Sequence, residues 1–271
     1  MALGIVVFCL IAGVSLAQDA TPPFSRQYLE TKAYPQAENE ALVKKFHGLR
    51  VTDVVDGLDV VGLQDVTVLD SEIKPLWRDE QKFTHRIYGV AVTLRIVPPQ
   101  ERAPIFPSHE EFARWESEWY RTRIPNDFSA HLKPDTILVI DASRTRDVGF
   151  CGSNNALSWF IRGMRGIVID GGCRDSDETI LQRLPVYQRF STRGIDPGRV
   201  TIESYNTPVN VGGALVMPGD IIVADTEGVV VVPRAKAEAV AAAAHKIQEA
   251  DKAGRRRLYD KLKRPYDFTV K

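Results

Sequence analysis

Apolar and polar positions alternate along this chain so that strands and helices are expected in turn. Six runs rich in β-branched residues predict strands over residues 88–96, 137–140, 166–170, 209–211, 221–223 and 228–232. Amphipathic or capped segments predict helices over residues 36–46, 51–58, 108–120, 154–162, 177–183 and 235–250. Helices interleaved with strands in this way predict a layered α/β domain.

The first residues differ from all that follow. The stretch 4–16 is almost wholly apolar but too short to span a bilayer, and small residues at Ser15 and Ala17 follow the pattern of a signal-peptidase site. This predicts a signal peptide (residues 1–17) and an exported protein, periplasmic or secreted, with an uncleaved N-terminal anchor as the alternative. No later stretch approaches membrane-spanning length, so no stable membrane span is expected in the mature chain.

The remaining chain divides into three segments by composition, and the second contains an insert. Polar, proline-containing residues 18–35 predict a linker before a domain at residues 36–250. Within that domain, residues 100–131 form an insert whose helix carries Trp115 and Trp119 on one face. Packing against the core or a second subunit is the expected role of these two rings. Residues 251–271 predict a basic, solvated tail.

Charge and motif content exclude several functions. Lysine plus arginine (35) equal aspartate plus glutamate (35), so no long-range field would attract nucleic acid or an anionic membrane. None of the five histidines pairs as HxH or HxxxH, and GxSxG, P-loop and GxGxxG motifs are absent. Zincin, serine-hydrolase and nucleotide-binding chemistry therefore have no basis in the sequence. What remains are sites built from carboxylates, arginine and backbone amides.

One such segment is the loop of residues 149–155, which opens directly into a predicted helix. Unpaired N–H groups and the positive end of the helix dipole at this point can receive a carboxylate or enolate oxygen. An ordinary helix cap by Ser153 or Asn154 is the simpler alternative.

The second segment is Gly171-Gly172-Cys173-Arg174-Asp175, which follows a predicted strand. Glycines let the backbone approach a ligand, Arg174 can hold a carboxylate through two hydrogen bonds, and Asp175 offers a hard oxygen for Mg²⁺ or Mn²⁺. A surface Arg–Asp ion pair is the alternative. Cys151 and Cys173 flank the two segments, and the residues alone leave open whether they are buried thiols or a disulfide.

The pattern from Gly163 through Gly166, Asp170 and Gly171 to Arg174-Asp175 resembles the signature of the 4-hydroxy-4-methyl-2-oxoglutarate aldolase and regulator of ribonuclease E activity family. Residues 52–58, 208–213, 216–220 and 224–233 resemble other parts of that family in the same order. The resemblance covers roughly residues 36–250 with gaps, chiefly the insert.

The resemblance implies an αββα sandwich, here with an extra helical insert, assembled as a homotrimer or homohexamer with sites between subunits. It also implies a divalent-metal class II pyruvate aldolase, a lyase that releases pyruvate from a small 2-keto acid or decarboxylates oxaloacetate. Enolate charge in both reactions is stabilised by the metal and by directed N–H groups. No nucleic-acid partner is expected.

Carried over by position, Arg174 would clamp the 2-keto acid and Asp175 would hold Mg²⁺ or Mn²⁺, partly through waters. Gly152 and the amides of Ser153, Asn154 and Asn155 would receive the substrate carboxylate. On the last helix, Glu249 is the counterpart of an acidic residue that some relatives lend to a neighbouring subunit.

One departure from the family concerns Ser153. The aldolases carry an acidic residue there that positions a proton-delivering water, and apolar residues in place of Asn154 and Asn155. Serine without a partner is no general base at neutral pH, so proton transfer is expected to be altered or lost. A non-catalytic binding or regulatory protein on the same scaffold is one alternative. Another is an enzyme for a larger or sugar-derived acid whose hydroxyls Asn154 and Asn155 would read.

Overall fold

The computed structural model describes residues 27–142, 145 and 147–271. The predicted signal peptide and the first part of the predicted linker lie outside these residues. Within the described part, Thr31–Lys271 fold as one compact unit. No described helix is long and apolar enough to cross a membrane.

The described residues form six α-helices and ten strands. The helices are α1 (Gln36–Lys44), α2 (Val51–Val60), α3 (His109–Arg123), α4 (Ser153–Ile161), α5 (Ser176–Leu181) and α6 (Ala237–Lys261). The strands are β1 (Lys74–Pro75), β2 (Ile87–Val97), β3 (Thr136–Asp141), β4 (Gly166–Ile169), β5 (Val186–Gln188), β6 (Thr201–Tyr205), β7 (Val209–Val211), β8 (Ala214–Val216), β9 (Ile221–Asp225) and β10 (Gly228–Val232). Two short 3₁₀ helices cover Asp127–His131 and Arg234–Lys236.

One large mixed sheet organises the fold. Its strand order is β1-β5-β4-β3-β2-β9-β10, with β6 pairing with part of β2. Strands β2, β3, β4 and β5 run parallel to one another, whereas β1, β6, β9 and β10 join antiparallel. The parallel strands are buried along nearly their whole length, which explains why the sequence shows them as continuous apolar runs.

The two faces of this sheet are covered by different structures. Residues of even number in β2 and β3, such as Val92 and Leu138, pack with the helical side of the core. Their odd-numbered neighbours, such as Ala91 and Val139, pack against the separate β7–β8 hairpin. Because side chains alternate across a strand, each apolar run serves two cores at once. The molecule thus stacks helices, sheet and hairpin in that order.

A charged cluster centred on Arg189 joins the hairpin to the end of β4. The Arg189 Nε donates to Asp170 Oδ1 at 2.7 Å, and Nη1 donates to carboxylate oxygens of Asp70 and Glu72, each at 2.7 Å. The other oxygen of Asp170 accepts the Gly212 N–H at 2.8 Å. Hydrogen bonds to these carboxylates raise the pKa of Arg189 further above its ordinary value, so its guanidinium stays charged.

The insert packs onto the body through its helix, α3. Trp119 is buried and its Nε1 donates to the Val200 carbonyl at 2.9 Å, while the Trp115 and Trp119 rings lie 5.3 Å apart. Both tryptophans pack against the core, which was one of the two roles expected for them.

The last helix differs from the sequence expectation at its C-terminal end. Helix α6 continues to Lys261, well beyond the predicted end at residue 250. The basic residues that predicted a solvated tail are good helix formers, and they extend the helix instead.

Helices α2 and α6 approach closely at Gly57. A methyl group at this position would lie 2.8 Å from the Val240 carbonyl oxygen and 3.2 Å from the Ala244 Cβ. Only glycine allows this approach, because the nearest obstacle is rigid helix backbone.

A pair of helical glycines tests this packing. By helix propensity alone, alanine would stabilise both positions by about 1 kcal/mol. We expect that gain for Gly254→Ala at a half-buried position of α6, where the nearest atom is the end of the flexible Arg257 side chain at 3.8 Å. At Gly57 the clash reverses the sign, with a loss of about 1–3 kcal/mol. Urea unfolding of both variants measures the effect, and equal gains would refute the close approach.

Candidate active site

The two segments singled out in the sequence lie side by side at the carboxyl ends of β3 and β4. These strands are parallel neighbours, so the loops that follow them leave the same edge of the sheet. Gly149 and Gly172 form an isolated parallel bridge there, and the Arg174 N–H donates to the Cys151 carbonyl at 3.0 Å. The sheet therefore determines that the amino end of α4 faces the Arg174-Asp175 segment.

A disulfide joins the two loops. Cys151 and Cys173 are bonded, with a Cα–Cα distance of 4.9 Å, and both are buried. The sequence left buried thiols and a disulfide open, and the structure has the disulfide. It links the residue before Gly152 to the residue before Arg174, so the two halves of the candidate site cannot separate.

Asp175 bridges the two halves through its carboxylate. Oδ2 accepts the Ser153 N–H at 3.1 Å, at the first turn of α4. The backbone of Asp175 is left-handed, with φ 58° and ψ 45°. A Cβ on Gly152 would lie 2.5 Å from Oδ2, so a side chain there would displace the carboxylate. Glycine at 152 is therefore required by the contact.

This contact bears on two expectations about the start of α4: which residue caps the helix, and whether the Ser153 amide is free to bind substrate. The N-cap residue is Gly152, which has no side chain to cap with, so the simple alternative of a cap by Ser153 or Asn154 is wrong. The carboxylate of Asp175, from a different loop, occupies the capping place instead. The Ser153 amide is therefore engaged by Asp175. The N–H groups of Asn154 and Asn155 belong to the same first turn, which has no intrahelical acceptors.

Arg174 lies against Asp175 and the first loop. Its Nε donates to Asp175 Oδ1 at 3.1 Å, and both side chains are 34% exposed. The Arg–Asp ion pair considered as an alternative is thus present, within the same cluster that receives the helix amide. A Cβ on Gly149 would lie 2.7 Å from the Arg174 Cβ, so this glycine makes room for the arginine. The partial exposure leaves guanidinium and carboxylate accessible to a small ligand.

The other predicted site residues are placed differently. Ser153 is buried, and Asn154 and Asn155 are exposed on the first turn of α4. Glu249 is exposed on α6 and forms an ion pair with Lys252 at 2.8 Å. It lines a cavity whose described lining includes none of the other predicted site residues. Within one chain, Glu249 is therefore not part of the cluster around Asp175.

Two groups near Arg174 were not found from the sequence. Asp196 is 4% exposed, and its Oδ1 has no hydrogen-bond partner among the described residues. Burial raises the pKa of Asp196 to about 8, although the charges of Arg174 and Arg199 act to lower it. Burial, Asp196 and Glu116 raise the pKa of Tyr120 to about 12, and Arg174 opposes them.

Neither residue has a local sequence pattern that indicates a functional role. Asp196 begins an Asp-Pro-Gly turn, which indicates only a change of direction. Tyr120 comes from the insert, which the family resemblance does not cover. Both are brought near Arg174 by tertiary packing.

The described residues contain no group of three His, Cys, Asp or Glu side chains that could hold a metal ion alone. Asp175 is the partly exposed carboxylate of this cluster, whereas Asp196 near Arg174 is buried. Mg²⁺ suits such a site, because it commonly keeps several waters and binds through one or two carboxylates plus substrate oxygens.

Comparison with known proteins identifies the family of this chain. The chain belongs to the RraA-like family, Aldolase/RraA, whose family model matches residues 51–231. This membership confirms the resemblance stated from the motifs and the α/β fold that it implied.

Individual relatives agree with this. A protein of Halalkalibacterium halodurans, named provisionally as a 4-hydroxy-4-methyl-2-oxoglutarate aldolase, is 27% identical over 227 residues, or 84% of this chain and 92% of that protein. The crystal structure of Streptomyces coelicolor RraAS2, described as an unusual member of the RNase ES inhibitor RraA family, matches with a TM-score of 0.64 and 24% identity, covering 83% of this chain and all (100%) of that one. An uncharacterized protein of Pseudomonas syringae matches with a TM-score of 0.63 at 20% identity, covering 83% and 92%. The two structural matches show the fold. The names of these relatives include both an aldolase and an inhibitor.

The disulfide gives a first test of the site's construction. It closes a loop between residues separated by 22 positions, for which chain-entropy arguments give about 3 kcal/mol. We expect the Cys151→Ser/Cys173→Ser variant to lose about that much unfolding free energy in urea. A loss below about 1 kcal/mol would show that the bond contributes little to holding the two loops.

The buried carboxyl of Asp196 gives a second test, through pH. Its folded-state pKa of about 8 lies above the ordinary value of 3.8, so the folded protein keeps a proton that the unfolded chain releases. The free energy of unfolding should therefore fall as pH rises from about 4 to about 8, by up to about 1.4 kcal/mol per pH unit. Asp196→Asn, which is always neutral, should remove this decline. Parallel pH profiles of the two proteins would contradict the assignment.

Proposed function

We propose that this protein is a divalent-metal-dependent lyase that acts on a small 2-keto acid and releases pyruvate. The observation that carries the proposal is the accessible Arg174–Asp175 pair held at the amino end of α4. Positive and metal-binding groups there lie next to helix N–H groups, a combination suited to a keto acid with a negative carboxylate and a polar carbonyl.

The proposed cofactor is Mg²⁺ or Mn²⁺. Asp175 would hold the ion, with waters and substrate oxygens completing its coordination. When bound, such an ion supplies Lewis-acid stabilisation of the negative charge that develops on the keto-acid oxygen. Arg174 would bind the substrate carboxylate, and the N–H groups of Asn154 and Asn155 would add hydrogen bonds to it.

The residue at position 153 favours one of the two family reactions. In oxaloacetate decarboxylation, the bond to the departing carboxylate breaks as CO₂ leaves, its electrons form the enolate of pyruvate, and a proton from solvent completes the product. No group on the protein must first remove a proton. Retro-aldol cleavage does need a base for the substrate hydroxyl, and Ser153 provides none. We therefore propose decarboxylation as the stronger activity.

Assembly and location belong to the proposal as well. A homotrimer or homohexamer with sites between subunits would let Glu249 of one subunit approach Asp175 of the next. Export after removal of residues 1–17 would expose Cys151 and Cys173 to an oxidising compartment, where disulfides persist.

An assay of pyruvate formation tests the activity. With Mg²⁺ or Mn²⁺ we expect turnover of oxaloacetate above the metal-only rate and weaker turnover of a 4-hydroxy-2-oxo acid. Asp175→Ala should lower kcat/KM by roughly 100-fold or more, because it removes the proposed metal ligand. Arg174→Lys should raise KM about tenfold, because lysine cannot form the bidentate contact.

The matched control is Asp177→Ala, which removes an exposed carboxylate from the adjacent turn and should leave both constants unchanged. Absence of metal-dependent turnover on either substrate would refute the lyase. A non-catalytic binding or regulatory protein, favoured by the serine at 153, would then be the better proposal.

A further inference from the structure

One cavity is lined by five cationic side chains, and its lining does not include Arg174 or Asp175. It has a volume of about 740 Å³ and lies among the start of α2, the loop before β2, helix α6 and the C-terminal segment. We call it the basic cavity, and its cationic lining consists of Arg50, Lys82, Arg86, Lys252 and Arg255. Glu249 is the single carboxylate in its described lining. Because the whole chain is neutral, this concentration of charge is local.

Two of the five cations are neutralised by neighbours. Arg50 pairs with Asp53 and Asp251, and Lys252 pairs with Glu249. Lys82, Arg86 and Arg255 form no salt bridge with any described residue. Three positive charges therefore face the cavity without an anionic partner in the described part of the chain.

Arg86 has a further unmet requirement. Its Nε is buried and has no hydrogen-bond partner among the described residues. The guanidinium carbon lies 4.3 Å from the centre of the Phe83 ring, which fixes the group against an aromatic face. Arg86 also lines an adjoining cavity of about 430 Å³, together with His47 and Tyr88. Because Nε is buried, an anion in these cavities would contact the terminal nitrogens of the Arg86 guanidinium.

The outer wall of the basic cavity is part of the fold. Phe268 and Thr269 line it, and Phe268 packs on Phe83 with ring centres 5.2 Å apart. The segment is held to α6 by hydrogen bonds from Arg256 Nε to the Val270 carbonyl and from the Tyr259 hydroxyl to Asp267. The cations thus line a partly open cavity whose wall includes this ordered C-terminal segment.

We propose that the basic cavity binds a small multivalent anion with at least two phosphate or carboxylate groups. Guanidinium groups match the planar oxygen pairs of both, and a lysine adds a compact charge. One anionic group would occupy the position between Arg86 and Lys82, and another would contact Arg255. Within one chain, the cavity lining includes neither Arg174 nor Asp175, so anion binding can be measured separately from the proposed lyase activity.

Isothermal titration of the full chain tests this binding, with pyrophosphate and citrate as separate probes in metal-free buffer. We expect saturable binding of at least one probe, and weakening by tenfold or more in Lys82→Gln/Arg255→Gln. Arg162→Gln removes an exposed cation outside both cavities and should change nothing. Arg174→Ala should also bind normally, which separates this site from the candidate active site.

Each outcome decides the proposal. Binding of pyrophosphate alone assigns a phosphate ligand, and binding of citrate alone assigns a polycarboxylate. Either result supports the site. Absence of saturable binding by the wild type at millimolar concentrations overturns it, as does equal weakening by Arg162→Gln or loss through Arg174→Ala. If the double variant fails to fold, the exposed Lys82→Gln substitution alone should weaken binding about threefold, and unchanged affinity would count against the site.

Discussion

The candidate site depends on one contact, the carboxylate of Asp175 against the first amide of α4. It is available because β3 and β4 are parallel neighbours whose following loops leave the same sheet edge. It also requires that Gly152 have no side chain, since a Cβ would lie 2.5 Å from the carboxylate oxygen. The Cys151–Cys173 bond then keeps the loops at this separation. Sheet topology, a glycine and a covalent link thus converge on a single hydrogen bond.

The sequence predicts the fold best where local pattern and tertiary environment agree. The central strands β2, β3 and β10 are buried on both faces and appear as apolar, β-branched runs. Strand β6 escapes prediction because Thr201–Tyr205 is half-exposed and polar, and it becomes a strand only by pairing with the end of β2. The second half of α6 escapes prediction because its charged residues are typical of a solvated tail as well as of a helix.

The candidate site is likewise predictable only in part, where a local sequence pattern indicates it. Gly152, Arg174 and Asp175 follow strands, and strand ends are where a sequence can indicate a ligand site. Asp196 and the partner-free cations of the basic cavity carry no such signal. They acquire their chemistry from burial and from neighbours distant in sequence, which a single chain without its fold does not reveal. The raised pKa of Asp196 near Arg174 and the cationic lining beside α6 therefore arise from the fold and not from local sequence.

The left-handed backbone at Asp175 has a consequence for how this position can change in evolution. That conformation costs most L-residues about 1–2 kcal/mol, and aspartate and asparagine tolerate it best. Glutamate would keep the charge but fits the backbone less well and reaches too far for the α4 amide. Asparagine keeps the backbone and can still accept from that amide, while losing the charge. A relative with asparagine here would thus preserve the architecture after its anionic chemistry had been abandoned.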